Sequence, residues 1–200
     1  MSTEQTIKMK KKLDGKTRIV TISDTHITPT GTQFNQKAFN KGIEQINEIK
    51  NVDLYIHLGD ITQSGTLIDY EFAIEQMEKL KPISTAPMYY LIGNHDAKNV
   101  GYLLFEELIG EGKRYFEYDD DDLFVLGFDS TKPDLASGVI HHKGIEGVRK
   151  RITEPDRGNK LKIVCFHHQL IPIPNTGKER SAIDDSGNML QMLLDNKADL

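Results

Sequence analysis

The sequence has one cysteine, Cys165, in 200 residues. No internal disulfide is possible and thiolate metal clusters are excluded. Any metal chemistry must therefore use His, Asp, Glu and Asn, which are harder ligands than sulfur. Cys165 lies in the apolar stretch 161–167 and reads as a small core residue of a buried strand rather than a nucleophile. No run approaches the ~18 apolar residues of a membrane span. The opening stretch MSTEQTIKMKKK lacks the apolar centre of a secretory signal, so a cytoplasmic location with no membrane partner is expected. Basic excess is missing too. There are 25 Lys and Arg against 30 Asp and Glu, a formal net charge of −5. Chains that coat nucleic acid are usually basic, so nucleic acid is not an expected partner. The two short charge runs, 8–12 and 119–122, read as a solvated tail and a turn.

What remains is a chain with 38% hydrophobic and 28% charged residues, enough apolar material for a core. Its length suits one domain, here 16–200 after a flexible lead-in of 1–15. Short apolar or β-branched stretches predict strands over 17–23, 53–58, 88–92, 113–118, 123–129 and 161–167. The acidic run 119–122 joins two of them as a hairpin. Helical spacing appears over 35–50, with Phe39, Ile43, Ile46 and Ile49 on one face. It recurs over 67–80, with Tyr70, Ala73, Ile74, Met77 and Leu80, before Pro82 stops the helix. Further helices are predicted over 100–108, 144–152 and 186–196, the last carrying Leu190, Leu193 and Leu194. Alternating strands and helices imply an α/β fold with parallel strands, to which an antiparallel hairpin is added. Ligand sites in such folds lie beyond the carboxyl ends of the strands.

The strand ends carry the chemistry. They read Ser23-Asp24-Thr25-His26, Gly59-Asp60, Gly93-Asn94-His95-Asp96 and His167-His168. Asp, Asn and His are poor strand residues, so four such endings point to metal binding. Asp24 and His26 are two apart, and in an extended end they would face the same way. Gly59 permits a sharp turn that brings Asp60 close, and one carboxylate can bridge two cations. Asp24, His26 and Asp60 would hold one ion. Asp60, Asn94 and His167 would hold the other. Two such ions acidify a shared water, and the bound hydroxide would attack phosphorus without a Ser or Cys nucleophile. His95 is the expected catalytic residue. As an imidazolium it would stabilise phosphoryl oxygens or protonate the leaving alkoxide. His57, inside a strand, reads as a hydrogen-bonded interior residue. His141 and His142 read as exposed, with a role as substitute ligands left open. Of the pair His167-His168, neighbours on a strand face opposite sides, and His167 is the expected ligand.

This series resembles the calcineurin-like metallophosphoesterase superfamily over about residues 17–200. Within it, Ser23-Asp24-Thr25-His26 and Ile92-Gly93-Asn94-His95-Asp96 are similar to the cyclic-nucleotide phosphodiesterase group. The resemblance implies a four-layer α/β/β/α sandwich and a dinuclear centre of Mn, Fe or Zn. It also implies a bridging Asp60, a catalytic His95, and a small phosphoester or nucleotide as substrate. Ser/Thr protein phosphatases fit less well, because Gln63-Ser64-Gly65 stands where they carry Asp-Arg-Gly. The family's last motif, Gly-His-x-His, does not occur in this sequence. The expectation is a fragment of a longer protein that lacks the C-terminal strands. The competing expectation is a shortened protein with a weakened centre. The leading function is metal-dependent hydrolysis of phosphodiesters. The alternatives are a non-catalytic nucleotide- or protein-binding module of the same fold, or a nuclease.

Overall fold

The computed structural model describes residues 16–31, 34–80, 86–172, 174–175 and 181–199. The lead-in 1–15 and Pro82 lie outside the described residues, as do parts of the loops that follow Thr28 and Pro172. Strands β1 (Ile19–Ile22), β2 (Leu54–His57) and β3 (Met88–Tyr90) form an all-parallel sheet in the order β1-β2-β3. Strands β4 (Phe116–Asp119), β5 (Leu123–Gly127) and β6 (Leu161–Cys165) form a second sheet. There β4 runs antiparallel to β5, and β6 runs parallel to it. The β4–β5 turn is closed by Asp120, whose Oδ1 accepts from the backbone N–H groups of Asp122 and Leu123. That is the Asx geometry for which Asp is favoured in turns.

Strand alternation sorts the apolar residues into three layers of core. Leu54 and Ile56 of β2, Leu123 and Val125 of β5, Ile163 of β6, Phe116 of β4 and nearby Leu91 meet between the two sheets. On the outer face of the first sheet, Ile22, Met88 and Tyr90 meet helices α1 (Gln36–Glu48), α2 (Leu67–Met77) and α3 (Gly101–Leu108). On the outer face of the second, Phe124, Leu126 and Val164 meet α4 (His141–Ile152) and α5 (Ser186–Asp195). The order is helix, sheet, sheet, helix, as expected of the four-layer sandwich. Each buried aliphatic side chain in these layers contributes about 1.5–3 kcal/mol.

Several faces differ from their expected membership. Ile49 is the C-cap of α1 and 42% exposed, so the stripe ends at Ile46. Ile74 is 36% exposed, because Tyr70, Ala73 and Met77 already fill the contact side of α2. In α5, Met189 and Met192 are the buried pair while Leu194 points outward at 65% exposure. Helix α4 begins at His141, three residues before the expected start, where Asp185 accepts from the N–H groups of Ile140 and His141. This carboxylate from the start of α5 supplies the acceptor that an N-terminus needs. No helix among the described residues is long and apolar enough to cross a membrane.

Candidate metal centre

The parallel ladder of β1 and β2 continues past both strands into the loops. Asp24 N–H donates to Gly59 O at 3.1 Å, His26 N–H to Asp60 O at 3.0 Å and Ile27 N–H to Ile61 O at 2.7 Å. Within this paired segment Asp24, His26 and Asp60 all adopt left-handed backbone, with φ of 55°, 46° and 53°. Such conformations are uncommon outside glycine and cost about 1–3 kcal/mol. The side chains therefore do not converge by simple extended alternation. They converge because the chain is bent at each of the three positions.

Asp60 is the hub. It is 3% exposed. Its Oδ1 accepts from His95 N–H at 2.8 Å and lies 3.4 Å from His167 Nε2, and its Oδ2 lies 3.6 Å from His26 Nε2. Two triples of donor atoms gather within 4.8 Å of one another: His26, Asp60 and His95 in one, Asp24, Asp60 and His167 in the other. The structure thus brings all the side chains expected from sequence into one place. His26 Nε2 also lies 3.8 Å from Asp24 Oδ1, so the expected neighbours Asp24, His26 and Asp60 are close together as well. Asn94 joins through its Oδ1, 3.1 Å from His167 Nε2. His141 and His142 are exposed at the start of α4 and belong to neither group.

The hydrogen-bond pattern fits a cation. His167 Nδ1 lies 2.9 Å from the Leu58 carbonyl oxygen, which can only accept. The ring hydrogen therefore sits on Nδ1, and in the neutral ring the Nε2 lone pair faces oxygens of both Asp60 and Asn94. Three lone-pair donors turned toward one another suit a positive charge between them. His26 Nδ1 is buried and has no hydrogen-bond partner in the structure. Carboxylate, imidazole and amide donors together suit a divalent cation. The electrostatics agree. His26 beside Asp24 holds that carboxyl well below the ordinary range, and Asp24 in turn raises the His26 imidazole. Burial holds His95 below the ordinary imidazole range.

Sequence reasoning missed the residues that hold this cluster. Asp96 is fully buried. Its Oδ1 accepts from Thr62 N–H at 2.7 Å and Thr62 Oγ1 at 2.9 Å, and its Oδ2 from Ile61 N–H at 3.1 Å and Gly93 N–H at 2.9 Å. It ties the loop after β2 to the loop after β3. Burial pushes its carboxyl up to about 6 despite those four donors. The only signal was its place beside His95. His57 is interior, as expected. Its Nδ1 accepts from Gly59 N–H at 3.2 Å, so Nε2 carries the hydrogen and donates to Thr25 Oγ1 at 3.1 Å. Thr25 then donates to Ile61 O at 3.1 Å. Burial pushes this imidazole down to about 3. His168 faces away from the cluster. It is buried, with Nδ1 2.8 Å from Ser130 Oγ.

Comparison with known proteins gives one consistent answer. The family model described as calcineurin-like phosphoesterase matches residues 17–200. The 3',5'-cyclic adenosine monophosphate phosphodiesterase CpdA of Pseudomonas aeruginosa is 24% identical, over 80% of this chain and 58% of its own length. A probable glycerophosphodiester phosphodiesterase of Arcobacter nitrofigilis is 30% identical over 78% of this chain and 58% of its own. A probable cyclic nucleotide phosphodiesterase of Xenorhabdus bovienii is 24% identical over 78% and 64%. The chain spans about three fifths of the length of these relatives. Among solved structures, a purple acid phosphatase from yellow lupin superposes with a TM-score of 0.65 at 16% identity, covering 92% of this chain and 36% of that one. The match over residues 17–200 and the fold around Asp60 make this chain a member of the calcineurin-like phosphoesterase family.

Proposed function

We propose that the protein hydrolyses phosphodiesters with a pair of divalent ions, Mn, Fe or Zn, held by Asp24, His26, Asp60, Asn94 and His167. The observation that carries this reading is the position of Asp60, whose two oxygens serve two separate groups of donors. Ions held there would polarise a phosphoryl oxygen and lower the pKa of water until it can attack phosphorus. The protein's own part is arrangement. The Leu58 carbonyl fixes the tautomer of His167 so that Nε2 faces the cluster. Asp96 holds the two Gly-containing loops at a fixed spacing. His95, anchored through its N–H to Asp60, offers a ring nitrogen beside His26, the two ring centroids being 4.5 Å apart. From there it stabilises negative charge developing on the phosphoryl or leaving oxygen.

The relatives named above carry the names of a cyclic nucleotide phosphodiesterase and a probable glycerophosphodiester phosphodiesterase, two different diesters. Their common denominator supports a small phosphodiester as the substrate class. The test is Mn²⁺-stimulated hydrolysis of bis(p-nitrophenyl) phosphate. Activity should vanish on chelation and in Asp60→Ala. Equal turnover with and without chelator would refute the reading. Two bound ions without turnover would instead favour a non-catalytic module of the same fold.

A further inference from the structure

Asp24, His26 and Asp60 stand on left-handed backbone, but Thr25, between the first two, does not. A β-branched side chain resists that conformation. The chain therefore changes hand on either side of Thr25. Asp24 joins the donor triple that contains His167, and His26 the triple that contains His95. Left-handed backbone at three such positions persists only where the surroundings over-determine it. The Thr25 side chain is placed to do this. Its Oγ1 donates to Ile61 O at 3.1 Å and lies 3.1 Å from His57 Nε2. Backbone groups fix both ends of this run of hydrogen bonds. Gly59 N–H can only donate, to His57 Nδ1 at 3.2 Å, and Ile61 O can only accept. Every hydrogen between them then has one place. His57 Nε2–H points to Thr25, and the threonine hydrogen points to Ile61. His57 and Ile61 flank the bend that carries Asp60. One hydroxyl thus closes that bend from both sides, while its own residue separates Asp24 from His26. His57 is fully buried in β2, the central strand of its sheet, and gives the tie a fixed point.

We propose that Thr25 is a positioning residue whose hydroxyl holds the bends at Asp24, His26 and Asp60 and, through them, the directions of their donor atoms. The consequence rests on the metal reading of the site. Thr25 acts on an ion only through its neighbours, since its hydroxyl is engaged with His57 and Ile61. Thr25→Val keeps the size and the β-branching and removes only the hydroxyl. Ile61 O still accepts from Ile27 N–H at 2.7 Å, so the carbonyl is not stranded. The buried His57 N–H loses the acceptor that Thr25 supplied. The bends then lose their tie, and a cation must gather donors that the wild type holds ready. Supporting groups of this kind are worth about 10–100-fold in metal affinity.

The experiment has two arms. In the first, the wild type, Thr25→Val, Thr25→Ala and Thr25→Ser are titrated with Mn²⁺ by calorimetry. Affinity should fall at least about 10-fold in Thr25→Val and Thr25→Ala. Thr25→Ser restores the hydroxyl and should restore the affinity. Val148→Ala, in the core between α4 and the second sheet, is the control for simple destabilisation. It should lower the unfolding midpoint at least as far and leave Mn²⁺ affinity unchanged. Wild-type affinity without the hydroxyl, an equal loss in Thr25→Ser, or an equal loss in Val148→Ala overturns the proposal. In the second arm, residual dipolar couplings read φ at Asp24 and His26 in the metal-free proteins. The two angles should stay positive in the wild type and Thr25→Ser and move in Thr25→Val and Thr25→Ala. Unmoved angles in the variants without the hydroxyl also overturn the proposal. A wild type that binds no Mn²⁺ refutes the metal reading, while the couplings still decide whether Thr25 holds the bends.

Discussion

The carboxylate of Asp60 occupies the space that a side chain on Gly93 would need. A Cβ on Gly93 would lie 2.2 Å from Asp60 Oδ1 and 2.2 Å from Asp60 N. The loops after β2 and β3 meet at this point: one contact is the Asp60 backbone, the other its buried carboxylate, held by His95 N–H. Gly93→Ala should therefore separate the loops. The expected outcome is loss of most Mn²⁺ binding by calorimetry, with a lower unfolding midpoint. A Gly93→Ala protein that binds Mn²⁺ like the wild type would contradict this geometry.

Asp96 joins those loops with four accepted hydrogen bonds. Asp96→Asn keeps the shape but puts an NH₂ where one oxygen faced donors. At least one buried N–H is left without an acceptor, a cost of about 2–3 kcal/mol. Urea unfolding should show a loss of that size. A change of less than about 0.5 kcal/mol would mean that the loops hold together without it.

His57 makes folding sensitive to acid. Burial lowers its folded pKa to about 3, against about 6.5 in the unfolded chain. Above about pH 6.5 the ring is neutral in both states and this stability is fully present. Between those values only the unfolded chain takes up the proton, so stability falls as pH falls. At pH 5 the loss is roughly 2 kcal/mol. Metal-free wild type should therefore lose more stability between pH 7 and pH 5 than His57→Gln does. Parallel pH profiles for the two proteins would show that His57 is not held neutral.

Ions should stabilise the fold as well as activate it. A ligand present at a hundred times its dissociation constant adds about 2.7 kcal/mol to the folded state. Mn²⁺ should raise the thermal midpoint of the wild type, and chelator should reverse the rise. Asp60→Asn, which weakens both donor groups, should show little shift. An equal shift in the variant would place the bound ion elsewhere.

Much of this molecule was legible in sequence because strand ends are chemically conspicuous. Asp24, His26, Asp60, Asn94, His95 and His167 each interrupt or follow an apolar run, and order alone placed them on one edge. Their backbone was not legible: Asp24, His26 and Asp60 are left-handed, a conformation in which Asp and His are enriched but which residue type alone does not place. The supporting residues were hidden for a related reason. Asp96 acts through atoms of Ile61 and Thr62, more than thirty positions away in the chain. Ile49, Ile74 and Leu194 misled because periodicity identifies a helical stripe but not its edges, which neighbouring helices decide.

The contact between His167 and the Leu58 carbonyl spans 109 positions and joins the loops of two separate sheets. A half-assembled chain in which only the first sheet has formed would hold Asp24, His26, Asp60, Asn94 and His95 but not the imidazole that closes the ring. Full-strength cation capture then reports that the two halves have docked. In the reading proposed above, an ion held there would tie the two sheets together, so its removal would loosen their apposition as well as abolish turnover.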